Sequence, residues 1–416
     1  FFTCSLDTEN NISPVQYWSA PRGVIREIDF ESAARELRKL FLESVELHLR
    51  SDVPIGAALS GGIDSSAIVC AIREIQPTAD IHTFTYVAGD GGTSEERWAD
   101  IVGHHVGATM HKVHVQAHEL LDDIDALIVS QGEPFGSTSI YAQRRVFQLA
   151  SENGIKVMLD GQGADELFAG YAGYLPAMLA SYLSSGQLLA ASRFLKSASS
   201  YNDVGVKNLL VQALAMIARS IMAERSLRKP NVLPWIQLPT LQKNSLRRTM
   251  DRAVYGFSPR RGRFLHDFLI NTVEATSLPA LLRYEDRNSM AFSIESRVPF
   301  LTPKLAEFVF SLPENYLIDE HGCRKSVLRA ALRGLVPDEI LDRRDKVGFE
   351  TPERQWLAKI DRWIADRLGD SDVSELIDTS CFAEEWSSVK NDPSTFDWRI
   401  WRTLNYLQWA DRISTV

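Results

Sequence analysis

The sequence predicts an α/β fold: a parallel sheet with helices on both faces, joined to a largely α-helical C-terminal part. Three observations predict it. Between Ile55 and Asp160, short apolar runs alternate with amphipathic stretches, the order that builds strand–helix–strand units. Glycine turns follow the first and last of these runs, at Gly61-Gly62 and Gly161. Beyond Tyr171 the alternation stops, and stretches rich in Ala, Leu and Ser at helical spacing take over.

Residues 1–30 are polar and irregular, end in Tyr17-Trp18-Ser19-Ala20-Pro21-Arg22-Gly23, and read as a connector. Glu31 to Arg50 carries Leu37, Leu40, Phe41, Val45 and Leu47 at helical spacing, so a helix is expected there. The expected strands are Ile55–Leu59, His82–Val87, Lys112–Val115 and Lys156–Leu159. The expected helices between them are Ser65–Ile75, Glu95–His105, Glu119–Ser130 and Ile140–Asn153. Residues 31–171 thus form an α/β core, 172–275 a helical insertion, and 276–416 a helical part that completes the site. Ligands of parallel sheets sit beyond the carboxyl ends of the strands. The segments that start at Ser60 and Asp160 both lie at such ends, so they are expected to converge.

Composition narrows the function classes. A net charge of −9 over 416 residues argues against a general nucleic-acid binder, which needs a basic face. No apolar run long enough to span a membrane and no signal-peptide pattern is visible, and with its scattered cysteines the chain is expected to be cytoplasmic. The chain starts Phe1-Phe2 and reads as part of a longer or processed polypeptide. Cys4, Cys70, Cys323 and Cys381 are far apart and read as reduced thiols. His104, His105, His111 and His114 cluster without metal-ligand spacing and read as neutral helix-end and strand histidines. The basic stretch Arg247, Arg248, Arg252, Arg260, Arg261 and Arg263 reads as a solvated face, a partner site being the alternative.

Four segments carry chemistry. Ser60-Gly61-Gly62-Ile63-Asp64-Ser65-Ser66 joins a strand to a helix, where free backbone N–H groups point at an anion. Its glycines allow close backbone approach, its serines add donors, and Asp64 could hold Mg²⁺ against a polyphosphate. The lysine of the Walker loop is missing. Asp160-Gly161-Gln162-Gly163-Ala164-Asp165-Glu166 follows a second strand; its acidic pair either suits a helix start or coordinates Mg²⁺ opposite Asp64. Leu282–Leu301 mixes charged and apolar residues, including Glu285, in a pattern compatible with a buried polar network lining a pocket. In Arg343-Arg344-Asp345-Lys346-Val347-Gly348-Phe349, cations precede a glycine turn, and Lys346 could stabilise charge on a reacting phosphate or tetrahedral intermediate.

The first segment resembles the pyrophosphate loop, SGGxDS, of enzymes that split ATP into AMP and pyrophosphate. The four together, in this order, resemble the synthetase domain of glutamine-dependent asparagine synthetases, from about residue 30 to about residue 365. The matching stretches are SGGIDSS, DGQGADELFAGY, YEDRNSMAFSIESRVPFL and RRDKVGF. The resemblance implies a PP-loop ATP pyrophosphatase-like core that adenylates a carboxylate, aspartate foremost, which ammonia then converts to an amide. ATP and Mg²⁺ are the implied cofactors. Leu59, Tyr86, Asp160 and Gly161 match nucleotide-contacting positions; Ser60, Gly61, Gly62, Ser65 and Ser66 would cradle pyrophosphate. Asp64 and Asp165 would hold the metal, Lys346 would stabilise the charged intermediate, and Glu285 is an acid/base candidate. Gln162 stands where asparagine synthetases carry glutamate, which places it on the acceptor substrate and keeps open other carboxylates, such as a sugar acid, a peptide or a β-lactam precursor. A non-catalytic nucleotide-binding domain is the rival of another class. Such enzymes carry an amino-terminal glutaminase domain that supplies ammonia, and the connector looks like its junction. No nucleic-acid or membrane partner is expected, and a homodimer remains open.

Overall fold

A computed structural model describes residues 15–23, 25–88, 95–222, 233–237, 259–344, 351–369, 376–391 and 399–414. Helix α1 (Phe30–His48) is capped by Asp29, whose carboxylate accepts the Ser32 N–H at 2.9 Å. The α/β unit then runs β1 (Ile55–Ala58), α2 (Ile63–Ile75), β2 (His82–Ala88), α3 (Glu96–Val106), β3 (Thr109–Val115), α4 (Ala117–Gln131), α5 (Ser139–Glu152) and β4 (Val157–Leu159). These bounds follow the apolar pattern closely. A fifth strand, β5 (Glu295–Arg297), returns from far along the chain to pair with β4. The sequence gives no sign of it, because a three-residue polar edge strand has no alternation to read.

All pairings are parallel, in the order β3-β2-β1-β4-β5. The chain moves outward from β1 to β3, then crosses back to place β4 on the other side of β1. The sheet therefore has its topological switch point between β1 and β4. Strand β3 begins before Lys112 because Thr109, Met110 and His111 continue the register opposite His82, Thr83 and Phe84. Thr109 is exposed and Met110 and His111 are half-covered, so their burial pattern is weak in the sequence.

Successive side chains of a strand point to opposite faces, and the sheet separates two cores accordingly. Ala57, Val157 and Leu159 face one core with α1, α2 and α3. Phe84, Tyr86 and Met158 face the other with α4 and α5. Both faces are thus covered, as a parallel sheet requires. The first core extends into helices α6 (Ala164–Leu167), α7 (Leu175–Ser184), α8 (Leu188–Tyr201) and α9 (Val206–Met222). The second takes in Trp356, Trp401 and their helical neighbours near the C-terminus.

The described thiols Cys70, Cys323 and Cys381 are free, while Cys4 lies outside the described residues. Among the described residues no helix is long and apolar enough to cross a membrane. Where the basic stretch can be followed, Arg260 and Arg261 are exposed, as a solvated face requires, and Arg263 is half-buried. Arg260 is tied to Asp267, Arg261 donates to the Ser184 carbonyl at 2.6 Å, and burial lowers the pKa of Arg263. Arg247, Arg248 and Arg252 lie outside the described residues.

Candidate active site

The loops after β1 and β4 meet at the switch point and share one cavity of about 350 Å³. Contact between them is close: a Cβ added to Gly161 would lie 2.9 Å from the Asp64 Cβ. Gly61 turns at φ +76°, and a Cβ there would come within 2.5 Å of the Ala99 nitrogen in α3. Both glycines are therefore demanded by crowding. The first loop is also stitched to itself, with Ser65 Oγ accepting the Ser60 N–H at 3.2 Å and Ser60 Oγ accepting the Gly62 N–H at 3.3 Å. Gly62 caps α2 without a side-chain hydrogen bond. The first N–H groups of this 13-residue helix are left to an anion or water.

One side of the cavity is apolar, formed by Leu59, Phe84, Tyr86, Val146, Phe147 and Met158. Burial pushes the Tyr86 phenol up to about 12, so it stays neutral. The other side is charged. Lys325, whose side chain is only 5% exposed, reaches between Asp64 and Asp165. Its Nζ lies 2.5 and 2.6 Å from the two Asp64 oxygens and 2.7 Å from Asp165 Oδ1. Burial opposes its charge, and the carboxylates of Asp165 and Asp64 outweigh burial and leave its pKa raised. Arg343 donates to the Gly61 carbonyl at 3.0 Å, pairs with Glu95 at 3.2 Å and stacks on Trp98 at 4.4 Å. Arg324 and Arg344 also line this side, with Arg344 stacked on Tyr201.

A proton-holding cluster lies beside the second loop. Asp160 accepts the Gln162 N–H at 3.1 Å; burial and the nearby Asp64 charge push its carboxyl up to about 6. Glu285 is buried in the helix Leu278–Met290 and accepts from the Ser296 hydroxyl of β5. Burial and the Asp160 charge hold it well above the usual carboxylate range, against hydrogen bonds from Ser296 and Gln162. On the next turn Asn288 bonds Gln131, the Ile140 carbonyl and Gln143, so the expected buried polar network exists.

Raised carboxyl pKa values have a stability consequence with a definite sign. The folded state holds protons that the unfolded chain has released above about pH 4. Stability contributed by this cluster is therefore present below about pH 4 and lost as pH rises through the folded value, about 6 for Asp160. Glu285→Gln keeps the shape and removes the proton. Thermal unfolding followed from pH 4 to 7 should show a smaller decline for the variant than for the parent; equal declines would dismiss the cluster.

Ser60, Gly62, Asp64, Ser65, Tyr86, Asp160, Gly161, Gln162 and Asp165 all border the cavity, as does Leu59. Three expected residues do not. Ser66 is fully buried with its hydroxyl turned into the fold, Gly61 abuts α3, and Glu285 is buried behind Gln162, which hydrogen-bonds to it. Lys346 lies outside the described residues. Sequence reasoning missed Lys325 and Glu95. The available signal for Lys325 was a pair of cations, Arg324-Lys325, immediately before an apolar helical stretch.

The residues fit a hydrated Mg²⁺ that arrives with phosphates. Two carboxylates converge on one cation, which is the protein share that Mg²⁺ commonly takes. Among the described residues no group of three or more His, Cys, Asp or Glu side chains could hold a metal ion unaided.

Comparison with known proteins agrees with this geometry. Residues 36–411 match the asparagine synthase family, and the chain belongs to that family. It is 26% identical over 391 residues to the glutamine-hydrolysing asparagine synthetase 1 of Bacillus subtilis, covering 91% of this chain and 59% of that protein. It is 29% identical over 382 residues to a putative glutamine-hydrolysing asparagine synthetase of Mycobacterium bovis, covering 90% and 57%. It is 25% identical over 359 residues to the amidase chyE of Penicillium rubens, covering 78% and 53%. The chain thus spans little more than half the length of these relatives.

Proposed function

We propose that this chain is an ATP-dependent, AMP-forming amide synthetase, with aspartate as the carboxylate and ammonia as the nucleophile. The observation that carries the proposal is the convergence of the two glycine loops, with Asp64 and Asp165 sharing one cation over a cavity with an apolar side. In this scheme a carboxylate oxygen attacks the α-phosphorus of ATP, and the bond to the β-phosphate breaks to release pyrophosphate. Ammonia then attacks the acyl carbon, AMP leaves with the bonding pair, and the ammonium proton passes to base or water.

The residues have separable tasks. The apolar side takes the adenine, and the α2 N-terminus with Ser60, Gly62 and Ser65 binds pyrophosphate. Asp64 and Asp165 would hold Mg²⁺, which supplies charge neutralisation to the leaving pyrophosphate. Lys325 offers a second positive charge beside it. Asp160, which borders the cavity and holds its proton more firmly than an ordinary carboxyl, would exchange a proton near the acceptor, with the buried Glu285 behind Gln162 tuning it. In a longer polypeptide a glutaminase unit would supply the ammonia.

Incubation with ATP, Mg²⁺, ammonium and aspartate tests this. Asparagine and AMP should form in equal amounts, faster as ammonium deprotonates with rising pH; ADP in place of AMP would overturn the chemistry. A second reading, the same chemistry on another carboxylate, is favoured by the neutral amide of Gln162 at the cavity edge and by the similarity to an amidase. AMP release that ignores aspartate would select it.

A further inference from the structure

Lys325 stands where it can decide when the two acidic groups become available. We propose that its ammonium is a gate: it closes Asp64 and Asp165 to a bare divalent cation and yields them only when a polyphosphate receives its charge. The inference rests on the nucleotide-cleaving function above, and extends it to an enforced coupling between metal and nucleotide.

The placement is built into the backbone. Lys325 adopts φ +58°, a left-handed conformation uncommon outside glycine, at the start of the helix Ser326–Leu332. Its carbonyl accepts the Arg329 N–H at 2.8 Å, and the adjacent Arg324 donates to the Gly170 carbonyl at 2.6 Å. Gly170 has no room for a side chain, because a Cβ there would overlap both Asp165 Oδ1 and the Lys325 Cε. The glycine, the arginine and the turned backbone together fix the ammonium against the carboxylates.

Charge explains why the gate would hold. Two carboxylates and one ammonium leave a net −1 at this point. A bare divalent ion would have to expel the ammonium into a wall already carrying Arg324, Arg329, Arg343 and Arg344. The other acids bordering the cavity offer it little. Glu95 is paired with Arg343, and Asp160 is engaged by the Gln162 N–H at 3.1 Å. A polyphosphate reverses this balance by bringing several negative charges of its own, on which the displaced ammonium can settle. Metal and polyphosphate then assist each other's binding, and by linkage the assistance is mutual.

Mn²⁺ is the probe, followed by its paramagnetic resonance signal with purified chain and no nucleotide. The parent should bind Mn²⁺ weakly, and Lys325→Met should bind it about tenfold more tightly or better, within the usual range for coupled sites. Mg²⁺ should likewise raise the thermal midpoint of Lys325→Met and leave that of the parent nearly unchanged. Tight Mn²⁺ binding by the parent, or no gain in the variant, overturns the gate. If Lys325→Met does not fold, the parent alone decides: Mn²⁺ and inorganic pyrophosphate must enhance each other's binding, and independent binding overturns the proposal. ATP–pyrophosphate exchange by the parent is scored separately. Its absence alongside conditional Mn²⁺ binding would remove the nucleotide-cleaving function and leave the gate.

Discussion

Replacing Asp64 with asparagine is expected to lower ATP–pyrophosphate exchange by about a hundredfold or more while leaving the fold intact. The substitution keeps the shape and removes one of two carboxylates that share a cation. Loss of metal-assisted charge stabilisation is worth several kcal/mol in the transition state. Folding should tolerate it for two reasons. Lys325 retains Asp165, so no buried charge is left without a partner, and Asp64 sits in the first turn of α2, where its backbone bonds do not depend on the side chain. Circular dichroism and the thermal midpoint check the fold; incorporation of labelled pyrophosphate into ATP checks the chemistry. Exchange persisting above about a twentieth of the parent rate would reject the assigned role of Asp64.

The architecture of this site was legible where local chemistry and strand ends coincide. Ser60–Ser65 and Asp160–Asp165 could be placed together because each follows an apolar strand, and a parallel sheet gathers such loops at one edge. Asp64 and Asp165 could be paired because each is an acid carried by one of these loops near the start of the following helix. Lys325 could not be found that way. It comes from a helix start more than 150 residues after the second loop, and its importance lies in burial and in a left-handed backbone that no periodicity encodes. Strand β5 escaped for a related reason, since its partner β4 lies far upstream and its own residues are polar. Ser66 belongs to the same motif but does not border the cavity. One residue beyond Ser65 on a helix turns the side chain by roughly 100°, which carries it from the cavity into the core. Glu285 was legible as a buried polar group, and only the structure sets it behind Gln162.

Two lysines now have distinct assignments, and a substitution separates them. Lys325 is bound to Asp64 and Asp165, the carboxylates proposed to serve pyrophosphate, whereas Lys346 enters through the motif Arg343-Arg344-Asp345-Lys346-Val347-Gly348-Phe349. The start of that motif is anchored at the cavity: Arg343 contacts the Gly61 carbonyl, and Arg344 borders the charged side. Lys346 follows two residues further on in the sequence, outside the described residues. If it stabilises negative charge as ammonia attacks, Lys346→Met should reduce amide formation by about 10²–10³-fold, the scale for one preorganised donor. ATP–pyrophosphate exchange should be affected less, because nucleotide binding and pyrophosphate release rest on the two glycine loops. A solvent-exposed lysine paired with the neighbouring Asp345 predicts a different result, since such pairs contribute little, about 1 kcal/mol or less. Amide synthesis and exchange are therefore measured on the same preparation. Loss of synthesis with exchange retained supports a role in the second half-reaction. Loss of both in equal measure would move Lys346 to the nucleotide, and no loss of either would remove it from the site.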